Sequence, residues 1–274
     1  MVVRHPIIIL LCLLLSLFLM SSMFSCGETA DTATSSNTVS VDEVTLPDIR
    51  YFDTNPSDQF LVNITAVIDG HMYIGKHADN PHTGAHVYFS TQDSTWPLNG
   101  IDSPSNYPPI YAIADGKITR IDTYFNVLDN YRYGIDLTFA KDGDHDISFH
   151  YSIEPFVNPG DSSFYEPYIL VDVGDTVKKG DIIAYMYLSP ESDTSAHIHF
   201  NLLSSNNGPS TFLAPIIFTD AVVNEFSEKI STENGGMKNY DGNQFSGTWM
   251  GNCFGYKLAS TENPFSDTSQ ECIQ

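Results

Sequence analysis

Residues 197–203 read His-Ile-His-Phe-Asn-Leu-Leu, and no other stretch restricts the fold of this chain so tightly. In an extended strand successive side chains point to opposite faces, so His197 and His199 share one face while Ile198 and Phe200 share the other. Two imidazoles side by side on a strand, backed by a core-facing face, suit a metal site. One can ligate through a ring nitrogen while its neighbour handles protons or a developing charge. Upstream lie a second pair, His82 and His86, and a further histidine, His150. Their spacing points to a zinc hydrolase.

The surrounding sequence is β-rich. Residues 109–114 run as Pro-Ile-Tyr-Ala-Ile-Ala into Asp115-Gly116, and Lys117-Ile118-Thr119-Arg120-Ile121 then alternates. Asp-Gly between two such runs predicts a hairpin. Residues 133–139 and 147–153 read as the next two strands, split by the polar turn Lys141-Asp142-Gly143-Asp144. Residues 168–173 and 182–187 read as strands on either side of a corner marked by Gly174-Asp175 and Gly180-Asp181. One helix is predicted over 219–230, with Ala221, Val222, Phe226 and Ile230 at helical spacing and Asp220 near its start. The expected class is mainly β: an antiparallel, barrel-sandwich-like domain with a short C-terminal helix and loops.

At 274 residues the chain has ample length for a core. Residues 1–25 stand apart from it: Arg4 begins a short positive region, and residues 7–20 are apolar except for Ser16. That run is short for a spanning helix and reads as a signal peptide. Ser25-Cys26 resembles a bacterial lipoprotein cleavage box, with bulky Phe24 where the pattern carries a small residue; an ordinary signal peptide or an uncleaved anchor is the alternative. Each of these exports the chain to the cell envelope, and the first would anchor it to a membrane through lipid on Cys26. Residues 26–46, rich in Thr, Ser, Asp and Ala, have the composition of a flexible tether. Cys12 leaves with the leader, so Cys253 and Cys272 remain as the expected disulfide in an oxidising compartment. Thirty-four acidic residues against twelve basic ones give a net charge of −22. That balance argues against nucleic acid and anionic membrane surfaces as partners, and it favours bound cations.

The upstream pair lies in Pro81-His82-Thr83-Gly84-Ala85-His86. Four residues of extended chain span roughly 13 Å, too far for both imidazoles to grip one ion. The segment must bend for them to converge, and Gly84 permits it. With a histidine from 197–199, three imidazoles and an open position would make a catalytic zinc set.

Five blocks now stand in order: His82-Thr83-Gly84-Ala85-His86, the run from Pro109 through Asp115-Gly116-Lys117-Ile118, Ser148-Phe149-His150-Tyr151, the corner Val173-Gly174-Asp175-Thr176-Val177-Lys178-Lys179-Gly180-Asp181-Ile182-Ile183, and His197-Ile198-His199-Phe200. In that order they resemble the lysostaphin-like zinc metallopeptidases, peptidoglycan endopeptidases of the duplicated-hybrid-motif fold. The resemblance covers about residues 80–203. The expected organisation is a metallopeptidase-like β domain over 47–230, with its motifs in 80–203, followed by a loop-rich extension over 231–274 that begins rich in Gly, Asn, Asp and Ser. The resemblance implies Zn²⁺ as cofactor, His82 and His199 as ligands, and His150 and His197 as the two active-site histidines that do not ligate. His86 stands where the family carries an aspartate ligand. Imidazole replaces carboxylate at the cost of one negative charge, which makes the zinc more Lewis-acidic.

The implied reaction is metal-assisted amide hydrolysis in peptidoglycan cross-links. His150 and His197 divide proton acceptance and oxyanion stabilisation between them, in an order the sequence leaves open. The competing reading on the same fold is an inactive, wall-binding or amidase-regulating lipoprotein, and a regulatory partner protein fits either. The 174–183 corner also resembles biotinyl and lipoyl carrier domains, but Lys178 and Lys179 lie in the corner itself and not at a hairpin tip. His71, His77 and His145 fall in polar contexts and receive no role.

Overall fold

Runs of alternating apolar residues form long antiparallel strands in the computed structural model. It describes residues 37–38, 45–48, 60–71, 75–76, 81–82, 85–89, 103–127, 130–189, 196–206, 211–213, 220–232, 256–257 and 271–272. All of these belong to one unit, Thr34–Gln274. In chain order the strands are β1 (Asn37–Thr38), β2 (Val67–His71), β3 (Gly75–Lys76), β4 (Pro81–His82), β5 (Ala85–Phe89), β6 (Pro109–Tyr111), β7 (Gly116–Val127) and β8 (Asn130–Asp142). There follow β9 (His145–Val157), β10 (Thr176–Val177), β11 (Ile182–Tyr185), β12 (His197–Ser205), β13 (Thr211–Leu213), β14 (Tyr256–Lys257) and β15 (Glu271–Cys272). One α-helix, α1 (Asp220–Thr232), precedes β14 among the described residues. No helix among them is long and apolar enough to cross a membrane.

The main sheet runs β1-β7-β8-β9-β12-β13-β14-β15, with β5 also pairing β12, β2 pairing β5, and β10 pairing β7. β12 is the hub. One edge pairs with β9 along its length, and the other pairs first with β5 and then with β13. The mainly β, antiparallel class expected from the sequence is the class observed.

Alternation decides which side of these strands is the core. Ile198, Phe200 and Leu202 of β12 lie opposite Ile153, Tyr151 and Phe149 of β9, and all six are fully buried. Phe149 and Phe200 stack with ring centroids 5.1 Å apart. Burying each such side chain contributes about 1.5–3 kcal/mol. Tyr151 ties this face to the chain beyond β6: its hydroxyl donates to the Tyr111 carbonyl and accepts from the Ile113 N–H, each at 3.0 Å. Complete burial pushes its phenol pKa far up, so it stays neutral and keeps its proton for that bond. Val222, Phe226 and Ile230 form the buried stripe of α1. Ile230 lies so close to Gly70 of β2 that a Cβ there would sit 2.6 Å from Ile230 Cδ1. Glycine is what lets the helix seat on the strand.

The structure corrects two local expectations. Asp115-Gly116 does not close a hairpin, for β6 pairs β11 in a separate sheet while β7 pairs β8 and β10. The Asp115 carboxylate instead accepts from the Lys179 N–H at 2.8 Å and from Lys178 Nζ at 2.9 Å, which fastens this turn to the 174–181 corner. Gly116 is needed for close approach, since a Cβ there would lie 2.4 Å from the Thr138 carbonyl oxygen. Residues 168–173 are likewise not a strand: Glu166–Tyr168 is a 3-10 turn, and Ile169 makes one isolated bridge to Ala184. The corner itself turns where expected, with Gly174 and Gly180 at φ 101° and 85°.

Within the stretch expected to be a tether, Asn37–Thr38 pairs with Ile121 and Arg120 of β7. In the C-terminal extension, Tyr256–Lys257 and Glu271–Cys272 extend the sheet edge beyond β13. Residues 1–25, with Cys26, lie outside the described residues, as does Cys253 of the expected disulfide.

Candidate functional site

The face of β12 opposite the core carries His197, His199 and Asn201, and strand register lines up a polar row behind each. His199 faces Ser152 of β9 on one side and His86 of β5 on the other, and His86 in turn faces His71 of β2. His197 faces Glu154 and Tyr88, with Asp69 beyond Tyr88. Asn201 faces His150, which faces Asp136 of β8. Three adjacent rungs of three or four strands thus carry histidines, carboxylates and hydroxyls on one face.

The histidines pack against one another. The His86 ring centroid lies 4.6 Å from that of His197 and 4.7 Å from that of His199. On its far side, His86 Nδ1 lies 3.3 Å from His71 Nδ1. The Tyr88 hydroxyl stands 3.5 Å from that same His71 nitrogen. His86, His197 and His199 are all buried, as is Glu154, so this is a buried polar cluster and not an open surface patch.

Glu154 supplies the negative charge. Its carboxylate pairs with Arg132 of β8 and accepts from Ser152 Oγ at 2.9 Å. Its oxygens lie 3.5 Å from His197 Nε2 and 3.9 Å from His199 Nδ1. A buried carboxylate is tolerated only when so surrounded. Its oxygens face one ring nitrogen of each imidazole, a position that suits an N–H.

His150 has its own carboxylate: Nδ1 is hydrogen-bonded to Asp136. In the neutral ring this fixes the proton on Nδ1 and leaves Nε2 as the acceptor. The ring leans over Gly134, where a Cβ would meet His150 Cε1 at 3.3 Å. Gly134 lies opposite Ser152, so the lean is toward the rung of His199. At the end of β9, Phe156 adopts a left-handed backbone at φ 58°, an outlier for so bulky a residue. Its exposed ring sits 5.1 Å from that of His197 and forms an apolar wall beside the cluster.

Of the residues singled out from the sequence, His86, His197 and His199 are brought together, and His150 lies one rung away on the same face. The backbone of His82 falls in β4, which pairs with β3 in a two-stranded sheet of its own; its side chain, and the bend expected at Gly84, lie outside the described residues. Among the described residues, no three His, Cys, Asp or Glu side chains are arranged as they stand to hold a metal ion. Sequence reasoning missed His71, Glu154, Arg132 and Asp136. Glu154 was readable in principle, because His150, Ser152 and Glu154 alternate along one strand. The other three depend on register.

No protein-family model matches the chain, and no curated protein matches it. A solved structure reported as "Identification and structural characterization of LytU" is similar at 25% identity and a TM-score of 0.28, covering 58% of this chain and 81% of that one. A likeness at that score carries no argument about what this chain does.

Proposed function

We propose that this protein is a zinc-dependent endopeptidase that hydrolyses peptide bonds in peptidoglycan cross-links, exported and held at the membrane by lipid on Cys26. One observation carries the reading: His86, His197 and His199 meet in a buried cluster whose face also carries a carboxylate-backed histidine, His150. The five sequence blocks that resemble lysostaphin-like enzymes support the substrate class.

The residues present fit zinc in kind. The donors are imidazoles, which zinc accepts readily. His86 and His199 would hold the ion with His82. When bound, zinc polarises a scissile carbonyl and makes water acidic enough to ionise near neutral pH.

The chain's own groups divide the remaining work. Asp136 keeps the proton of His150 on Nδ1, so that Nε2 accepts the proton of an attacking water. Glu154 holds Nε2 of His197 as a donor and balances the positive charge that His197 carries when it steadies a carbonyl oxyanion. Arg132 and Ser152 fix Glu154 in turn. The Phe156 ring stands against His197 and gives the cluster one apolar border.

The test is digestion of purified peptidoglycan by the zinc-loaded chain, with the released fragments identified by mass spectrometry. Cleavage at an amide bond, lost in His150→Ala and in His197→Ala, is the expected result. Intact peptidoglycan after treatment with zinc-loaded protein would contradict hydrolysis and leave a wall-binding or regulatory role.

A further inference from the structure

Near its end β9 slips against β8. From Tyr131 to Tyr133 β8 advances two residues, while β9 advances four between their partners Val157 and Ile153. The stretch that bulges is Glu154-Pro155-Phe156, in which Pro155 is buried and brings no N–H to the ladder. Phe156 takes up the turn with φ 58°. A residue in that left-handed conformation at a bulge is ordinarily glycine, because a Cβ crowds the following carbonyl oxygen.

Phenylalanine is the costly choice at this position, and burial does not repay it, since Phe156 is 39% exposed. Among the described residues its one ring partner is His197, with centroids 5.1 Å apart and a tilt of 36°. His197 is buried, and Glu154 faces its Nε2 at 3.5 Å. The bulge therefore keeps Glu154 on the histidine face and turns Phe156 to the open border of the same cluster. Bulges beside sites re-aim side chains in this way, and strain retained at an exposed residue there points to a ligand. The ring carries neither charge nor hydrogen-bonding groups, so what it recognises is C–H surface.

We infer that Phe156 is a substrate-binding residue, whose ring takes the C–H-bearing surface of the peptidoglycan unit seated beside His197. This rests on the proposed action on peptidoglycan and adds a contact to it. An aliphatic side chain of the peptide and the apolar face of a sugar ring both present such a surface.

Co-sedimentation of the full chain with insoluble peptidoglycan, in the presence of a chelator, reads binding without cleavage. Phe156→Gly should bind roughly threefold to tenfold more weakly, as the loss of the ring's exposed area predicts. Its melting temperature should not fall, because glycine accepts the left-handed backbone. Phe156→Tyr, which keeps the ring, should bind as wild type does. Calorimetry with soluble cross-linked fragments then separates the two sources: weakening only with fragments that carry sugar assigns the sugar face, and equal weakening with sugar-free peptides assigns a side chain. If Phe156→Gly fails to fold, Phe156→Asn, which also tolerates the left-handed region, takes its place. Unchanged binding in the ring-less variant would overturn the assignment and leave Phe156 as a packing partner of His197. A wild type that binds peptidoglycan but does not cut it would overturn hydrolysis and leave this contact standing, whereas a wild type that does not bind would overturn both.

Discussion

The two faces of β9 and β12 are built on the same backbone and the same register, yet they follow different rules. On one face Phe149, Tyr151, Ile153, Ile198, Phe200 and Leu202 are buried for their area, and near neighbours of similar volume would serve. On the other, His150, Ser152, Glu154, His197, His199 and Asn201 occupy equivalent positions two residues apart, and all but Asn201 meet a named polar or ring partner. The comparison shows how a strand pair can devote one face to stability and the other to chemistry. Alternation keeps the two separate.

Substitutions on either face should separate these roles. Phe200→Ala should have the largest effect on stability, lowering unfolding free energy by about 3–5 kcal/mol in urea titrations through lost transfer energy and a cavity against Phe149. Arg132→Ala should come next, at about 3 kcal/mol, because it strands the buried Glu154 carboxylate. Adding Glu154→Gln to it should restore part of that loss, which a double-mutant cycle would measure. Asp136→Asn should leave the melting temperature nearly unchanged while cutting peptidoglycan turnover by about 10²–10⁴-fold, as loss of an oriented general base does.

The smallest effect belongs to the far corner. The hydrogen bond from the Lys178 ammonium, and then that from the Lys179 N–H, hold the Asp115 carboxyl below the usual carboxylate range. A depressed pKa contributes stability that is present above the ordinary aspartate value and lost as pH falls through the lowered one. Asp115→Asn should therefore lower the melting temperature slightly at neutral pH, and the difference from wild type should vanish in strong acid.

Much of this was legible in the sequence, for identifiable reasons. The alternation in His197-Ile198-His199-Phe200 gave both faces of β12 directly, and the helical spacing of Val222, Phe226 and Ile230 gave the buried stripe of α1. What stayed hidden was lateral pairing. Counted back from the turn at residues 143–144, His150 would face Leu137; an irregularity between Thr138 and Ala140 moves it onto Asp136. An irregularity between Val67 and Asp69 does the same for His71, which would otherwise face Ala85 and instead faces His86. A slip of one residue exchanges the faces of a strand, so these two bulges decide whether each partner reaches the site at all. The Asp115-Gly116 turn misled for a related reason. Its partners are Lys178 and Lys179, more than sixty residues away, and no local pattern announces them.

Metal content tests most directly whether the histidine face holds one zinc ion. The purified chain, dialysed against zinc and then against metal-free buffer, should retain one zinc per molecule. His86→Ala and His199→Ala should each lose it or hold it far more weakly while melting as folded proteins. A wild-type chain that retains no zinc would contradict a zinc site on this face.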